Sequence, residues 1–190
     1  MNPFDLSRAA GAPAATIVLL GMLLVATATD LHRQRIPNLL TLPAALVAFV
    51  VHGVYGGLPG LASSLLAFLI WFVLGFLFYR MAAGKQIGGG DIKMVMATSA
   101  CIGCLPAARV TFVSLLLVVL WLFVRWTAQR TLGANLSGLR SWLATTLTPG
   151  IEKTHFRPVG MVDRTPHAPF MLAASLLLIY LHRRGVGLPF

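Results

Sequence analysis

Two long stretches of this chain contain no charged residue, and they limit the folds that are open to it. Residues 9–29 form the first stretch and residues 36–79 the second. A helix needs about 20 consecutive apolar residues to cross the hydrocarbon layer of a membrane, so both stretches are long enough. The whole sequence is 57% hydrophobic and only 11% charged, which is too apolar for a soluble domain. The chain is therefore predicted to be an all-α, polytopic integral membrane protein.

Turn signals divide the apolar sequence into separate helices. The second stretch exceeds one membrane crossing and contains Gly53-Val-Tyr-Gly-Gly-Leu-Pro-Gly60, a run typical of a turn. A further break is predicted at Leu105-Pro106. About six spans result, at residues 14–30, 38–54, 61–79, 91–104, 108–125 and 168–182, in a single membrane domain of residues 1–190. We interpret the first span as retained, although its end resembles a signal-peptide cleavage site.

The basic residues predict how these spans are oriented. The loops after spans one, three and five hold eleven of the fifteen Lys and Arg residues. Because cytoplasmic loops are enriched in Lys and Arg, these three loops are predicted to be cytoplasmic, and Arg183-Arg184 is the one discordant pair. The net charge of +10 is then explained by contact with anionic membrane lipid. It does not indicate nucleic-acid binding, since no basic run is interleaved with aromatics in a polar module.

The longest of these loops, residues 126–166, carries a helical pattern. Leucines recur every three or four residues, at positions 132, 136, 139, 143 and 147, which is the spacing of one helix face. With Arg140 and Trp142 nearby, this pattern favours an amphipathic helix on the inner leaflet. A partly disordered loop is the alternative. The sequence does not assign a role to this loop.

Two aspartates lie at the ends of apolar segments, where a carboxylate is costly. Asp30 ends the first span and Asp91 begins the fourth, and the chain has only five acidic residues in all. An ionisable group at the edge of a span is a candidate functional residue. The predicted topology places both at the cytoplasmic face, and two carboxylates close together are what an aspartic protease requires. An N-cap role is the structural alternative for Asp91.

The residues beside each aspartate add to this hypothesis. Asp30 is followed by Arg35-Ile-Pro37-Asn38, in which Pro37 suits the first turn of the second span. Asp91 follows Gly88-Gly89-Gly90, where backbone or substrate can approach without a Cβ in the way. Lys93 is two residues further on and so lies on another helix face. We interpret Lys93 as a headgroup-binding or positioning residue.

Metal chemistry has little support in the sequence. Cys101 and Cys104 form a single C-x-x-C pair, whereas a structural zinc site needs about four ligands. The pair lies in an apolar helix, so its members are interpreted as small packing residues. The five histidines are scattered, and the serines within the spans read as packing residues. We expect no metal and no cofactor.

The first motif is Asp30 with the following Arg-Ile-Pro-Asn, and the second is Gly-Gly-Gly-Asp-Ile-Lys before the fourth span. Together they resemble the motifs of the type IV prepilin peptidases, which are membrane aspartic proteases of the GxGD class. Thr165-Pro-His-Ala-Pro-Phe170 is similar to the family's proline-rich entry into the final helix. The resemblance implies that Asp30 and Asp91 are the catalytic acids and that Gly88 and Gly90 are the GxGD glycines. It further implies a multi-pass enzyme of the bacterial inner membrane that cleaves the basic leader of prepilins and pseudopilins at the cytoplasmic face, usually after a glycine.

The chain differs from the larger members of this family, and the difference limits the resemblance to one subclass. Larger members carry a cytoplasmic domain with two C-x-x-C pairs after the first span and also N-methylate the pilin. Only a short loop follows Asp30 here, so the chain resembles the small tight-adherence (Flp) subclass, and no methyltransferase activity is expected. Two alternatives stay open: an intramembrane protease of the signal-peptide-peptidase type, and a non-enzymatic assembly or transport protein that uses the aspartates as a proton relay. The particular pilin, the acid and base roles and the oligomeric state are not determined.

Overall fold

A computed structural model describes Leu6 and residues 11–33, 36–81, 89–147 and 166–184. In this part of the chain all regular structure is α-helical, which confirms the predicted fold class. The helices are α1 (Ala12–Arg33), α2 (Asn38–Met81), α3 (Gly89–Ile102), α4 (Cys104–Ala128), α5 (Leu132–Leu147) and α6 (Ala168–Arg183).

Three of the described helices are long and apolar enough to cross a membrane. They correspond to Ala12–Arg33, Leu39–Arg80 and Cys104–Ala128, and Ala168–Arg183 is a shorter apolar helix. Large apolar side chains face outwards, among them Leu39, which is 87% exposed. Such a surface suits lipid rather than water, and the chain is a membrane protein. Length does not establish six separate spans, because α3 and α6 have only 14 and 16 residues.

Helix α2 contains the break that the glycine-rich sequence predicted. Gly57 has φ 61° and ψ −157°, a conformation that residues with a Cβ rarely adopt. The kink separates two helical halves that correspond to the predicted spans 38–54 and 61–79. Pro59 lies two residues beyond it, in the first turn of the second half, where its missing N–H has no helical partner to lose.

The break between α3 and α4 differs slightly from the prediction. The chain turns at Gly103, with φ 90°, and not at Leu105-Pro106. The predicted boundaries at 104 and 108 therefore move to Ile102 and Cys104. Pro106 lies in the first turn of α4, where a proline is tolerated. The Leu105-Pro106 signal predicted the break too far along the chain, because the residue with the positive φ is Gly103 and Pro106 only follows it.

Helix α3 is the centre of the fold. All of its residues from Met94 to Ile102 are buried, and it packs against both α1 and α2, while α1 also packs against α2 and α6. Its last carbonyl groups accept hydrogen bonds from distant donors: Ala100 from Ser64 Oγ at 2.7 Å, Cys101 from His52 Nε2 at 2.9 Å and Ile102 from the Leu6 N–H at 3.1 Å. These donors replace helical partners that the Gly103 break removes.

His52 is fully buried, and its contact with Cys101 gives a stability prediction. Because a carbonyl only accepts, Nε2 donates, and a leucine at position 52 would leave the carbonyl without this donor. We expect His52→Leu to lower the free energy of unfolding in detergent by about 1–3 kcal/mol. Chemical denaturation followed by circular dichroism measures this. His32→Leu, at an exposed position of α1, is the control, and equal stability of the two variants would contradict the prediction.

The chain divides into two compact units, one comprising Met1–Leu115 and Pro166–Phe190 and the other Leu116–Thr165. The second unit contains α5, so the helix predicted from the leucine spacing is confirmed. Its N-terminal turn is stabilised by Asn135, whose side-chain amide donates to Thr131 Oγ1 at 3.2 Å. Leu136 is 46% exposed, which leaves an apolar face open. The position of α5 on the inner leaflet and the single-domain assignment stay predictions.

Candidate functional site

The carboxyl group of Asp30 is buried at the end of α1. Only 7% of the residue is exposed, and Oδ2 accepts a hydrogen bond from the backbone N–H of Ala168 at 3.1 Å. Ala168 is the first residue of α6, and N–H groups in a first turn have no partner within their own helix. The positive end of the α6 dipole therefore faces the carboxyl group. This contact offsets the unfavourable position of an acid at the C-terminal end of α1.

His167, directly before α6, lies in the same region. Its Nε2 atom is 3.4 Å from Ser114 Oγ on α4. Burial lowers the pKa of its imidazole below the ordinary value of 6.5, and the nearby Asp30 carboxylate opposes this shift. The sequence pattern around His167 did not by itself indicate a role for this histidine. The proline-rich motif at the start of the last helix was the available signal.

Asp91 lies in the first turn of α3 and is partly exposed. Because α3 begins at Gly89, Asp91 is inside the helix and does not precede it as an N-cap would. An acid in a first turn interacts favourably with the unpaired N–H groups and with the helix dipole. The N-cap alternative for Asp91 is therefore wrong.

Two contacts bring the ends of α1 and α3 that carry the aspartates to one end of the helix bundle. The hydrogen bond from Leu6 to Ile102 places the chain before α1 at the C-terminal end of α3, so the two helices run in opposite directions. At the other end, Gly90 lies against Ile36, which follows α1. A Cβ on Gly90 would be 3.3 Å from the Ile36 Cβ and 3.7 Å from its carbonyl oxygen. The end of α1 that carries Asp30 and the end of α3 that carries Asp91 therefore lie at the same end of the bundle.

Of the remaining predicted site residues, the structure describes some and not others. Pro37 is exposed and precedes the first residue of α2, and its carbonyl accepts a hydrogen bond from the Leu40 N–H at 3.0 Å. Lys93 is partly exposed in the early part of α3. Gly88 and Arg35 lie outside the described residues, and of Asn38 only the backbone, at the start of α2, is described.

A glycine that the sequence analysis did not select supports the position of Asp91. A Cβ at Gly75 of α2 would collide with the Cγ2 atom of Ile92, the residue after Asp91. Large apolar residues surround Gly75 in the sequence, and a single glycine in such a run is a weak signal of close helix packing.

No group of three His, Cys, Asp or Glu residues within the described segments could hold a metal ion. Cys101 and Cys104 are both buried as free thiols. They lie at the Gly103 break, away from the end of α3 that carries Asp91, so they belong to the packing of α3 and α4.

A family model described as the type IV leader peptidase family matches residues 17–123. This range is more than half of the chain and includes Asp30 and Asp91. The chain belongs to the type IV leader peptidase family. No curated protein and no solved structure matches it. Family membership together with the apolar helices indicates a membrane peptidase, and the resemblance inferred from the sequence is confirmed. The match ends before α5 and α6, so it does not cover His167 or Ala168.

The glycines of this leader peptidase give a matched pair of variants. Gly90→Ala places a Cβ against Ile36, whereas a Cβ on Gly89 meets no atom of the described residues within 4 Å. We expect Gly90→Ala to reduce leader cleavage by about ten-fold, because Ile36 or the start of α3 must shift slightly beside Asp91, and a displacement of about 1 Å at a reacting group costs about 10²-fold. Initial cleavage rates in membranes measure this. Gly89→Ala is expected to keep the wild-type rate, and equal rates for both variants would contradict the prediction.

Proposed function

We propose that this protein is an aspartic endopeptidase that removes the short basic leader from prepilins or pseudopilins, with Asp30 and Asp91 as its catalytic acids. One observation carries the proposal: the family match includes both Asp30 and Asp91. The contact of Gly90 with Ile36 supports it, because it joins the end of α3 that carries Asp91 to the chain that follows Asp30. The product would supply pilus or secretion-system assembly.

The proposed mechanism uses the two carboxyl groups in different protonation states. Two carboxylates that lie close together do not both ionise readily, so an aspartic dyad works with one group ionised and the other protonated. The ionised group takes a proton from the attacking water, and the protonated group donates a hydrogen bond to the scissile carbonyl and stabilises the developing oxyanion. Because Ala168 holds Oδ2 of Asp30, Oδ1 is the oxygen through which Asp30 acts.

The membrane position of the site supports a leader as substrate. The basic loops predict that the end of the bundle with Asp30 and Asp91 faces the cytoplasm of a bacterial inner membrane. A pilin's apolar helix would dock from the lipid phase, against the exposed apolar surface, and so present its leader at the cytoplasmic edge. Gly90 lets the chain at Ile36 lie close to the backbone beside Asp91. Arg35, Pro37 and Asn38 are proposed as supporting residues of the motif that follows Asp30, and Lys93 as a headgroup-binding or positioning residue.

Co-expression with a candidate prepilin tests this function. We expect the wild-type chain to convert the precursor to a shorter product, whose new N-terminus, read by mass spectrometry, lies directly after the leader. Cells that lack the chain are the control. A cut inside the pilin's apolar helix would favour the signal-peptide-peptidase alternative. Unprocessed precursors across a panel of prepilins would contradict the peptidase and favour a transport or assembly role.

A further inference from the structure

Two adjacent residues at the start of α6, His167 and Ala168, lie outside the range that the family match covers. Ala168 donates its backbone N–H to Oδ2 of Asp30 at 3.1 Å across 138 positions of sequence. His167 contacts Ser114 on α4. The first contact restrains the carboxyl group, and the second joins the beginning of α6 to another helix of the same unit.

The proton positions at Ser114 follow from its second contact. Ser114 Oγ is 2.7 Å from the Thr111 carbonyl oxygen and donates to it. A hydroxyl group has a single proton, so towards His167 the same oxygen accepts. His167 Nε2 therefore carries a proton and donates it to Ser114. The imidazole acts here as a hydrogen-bond donor that anchors the α6 start.

Burial also determines the charge state of His167. Because burial lowers its pKa more than Asp30 raises it, the ring is neutral at neutral pH. A neutral ring has one N–H, and that N–H is directed to Ser114. His167 therefore carries no positive charge that could neutralise Asp30. The Asp30 carboxyl group is held by the uncharged backbone amide of Ala168, the residue after His167.

We propose that His167 is a positioning residue for Asp30: anchored on Ser114, it fixes the start of α6 so that the Ala168 N–H holds one oxygen of the Asp30 carboxyl group. Its kinetic consequence rests on the proposed function. The carboxyl group of an aspartate turns about χ2 with little resistance, and a donor on Oδ2 fixes the direction of Oδ1. His167 acts through Asp30 and does not contact the substrate.

Rate measurements on the full-length protein in lipid vesicles, with a prepilin as substrate, test the positioning role. His167→Leu keeps the bulk but loses the donor, and we expect kcat to fall about ten-fold while KM changes less than about two-fold, the order expected for one lost hydrogen bond near a charged group. His167→Gln has an amide that can donate to Ser114 and is expected to recover most of this loss. His182→Leu, exposed near the end of the same helix, is the matched control and is expected to keep the wild-type kcat.

Ser114→Ala provides the second half of the test. If His167 acts through Ser114, this variant lowers kcat in the same way, and the double variant His167→Leu/Ser114→Ala is no slower than either single variant, because one interaction is lost only once. Wild-type kcat in His167→Leu would overturn the proposal. So would equal losses in His167→Leu and His167→Gln, or additive losses in the double variant.

A titration without substrate separates this proposal from the proposed function. In protein labelled at histidine, the resonance absent from His167→Leu identifies His167, and its pKa is compared between wild type and Asp30→Asn. Removing the carboxylate removes the influence that raises this pKa, so the pKa is expected to fall further. An unchanged His167 pKa would overturn the proposal. If no prepilin is cleaved, the proposed function fails, and the titration alone decides whether His167 lies beside Asp30.

Discussion

Asp30→Asn and Asp91→Asn are each expected to reduce leader cleavage by about 10³-fold or more. General acid–base catalysis by one group contributes about 10²–10⁴-fold, and in an aspartic dyad each group takes part in proton transfer. Asparagine has nearly the same shape but neither accepts nor releases the proton. In Asp30→Asn the side-chain oxygen can still accept the Ala168 N–H, so the start of α6 is expected to keep its place. Initial rates of leader removal in membranes, with the product identified by mass spectrometry, measure the loss.

The chain offers a matched control for these two variants. Asp163→Asn makes the same change at a position that is distant from both motifs in the sequence, and is expected to cleave at the wild-type rate. Equal amounts of each variant in the membrane, and equal helical signals in circular dichroism, show that the protein is intact. Full cleavage by either Asp30→Asn or Asp91→Asn would remove that aspartate from the catalytic assignment.

Gly75→Ala is expected to have the second-largest effect, although position 75 lies outside both motifs. The added methyl group collides with Ile92, and α3 has no room to retreat because its residues from Met94 onwards are buried. Overpacking of this kind costs about 1–3 kcal/mol, which exceeds the gain of about 1 kcal/mol that alanine has over glycine in a helix. Since Ile92 is bonded to Asp91, we expect cleavage to fall by more than about ten-fold as well.

Gly21→Ala is the control for this variant. Within the described part of the chain, a Cβ on Gly21 of α1 meets no atom within 4 Å, so this substitution adds the same methyl group to a helix without a collision there. Denaturation in detergent and initial cleavage rates are measured for both proteins. Gly21→Ala is expected to be at least as stable as wild type. If Gly75→Ala matches it in both measurements, close packing of Ile92 on Gly75 is not required for the position of Asp91.

Local sequence determined much of this structure, because membrane helices and their breaks depend on neighbouring residues. The charge-free residues 9–29 predicted α1, the glycine-rich segment 53–60 predicted the kink that the structure places at Gly57, and the leucine spacing predicted α5. Asp30 and Asp91 were recognisable because a carboxylate at the end of an apolar segment is costly enough to indicate a function.

Contacts between distant segments were decided by the tertiary structure alone. Nothing near Asp30 in the sequence indicates that the Ala168 amide holds its carboxyl group, or that His167 and Ser114 fix that amide. Periodicity predicts which residues form a helix, but it does not predict which helix ends meet. The same holds for Ile92 on Gly75, a contact that depends on how closely two helices approach. The sequence by itself thus determined the helices and identified the two acids, whereas packing decided what surrounds them, because hydrogen bonds and steric contacts exist only once distant helices are side by side.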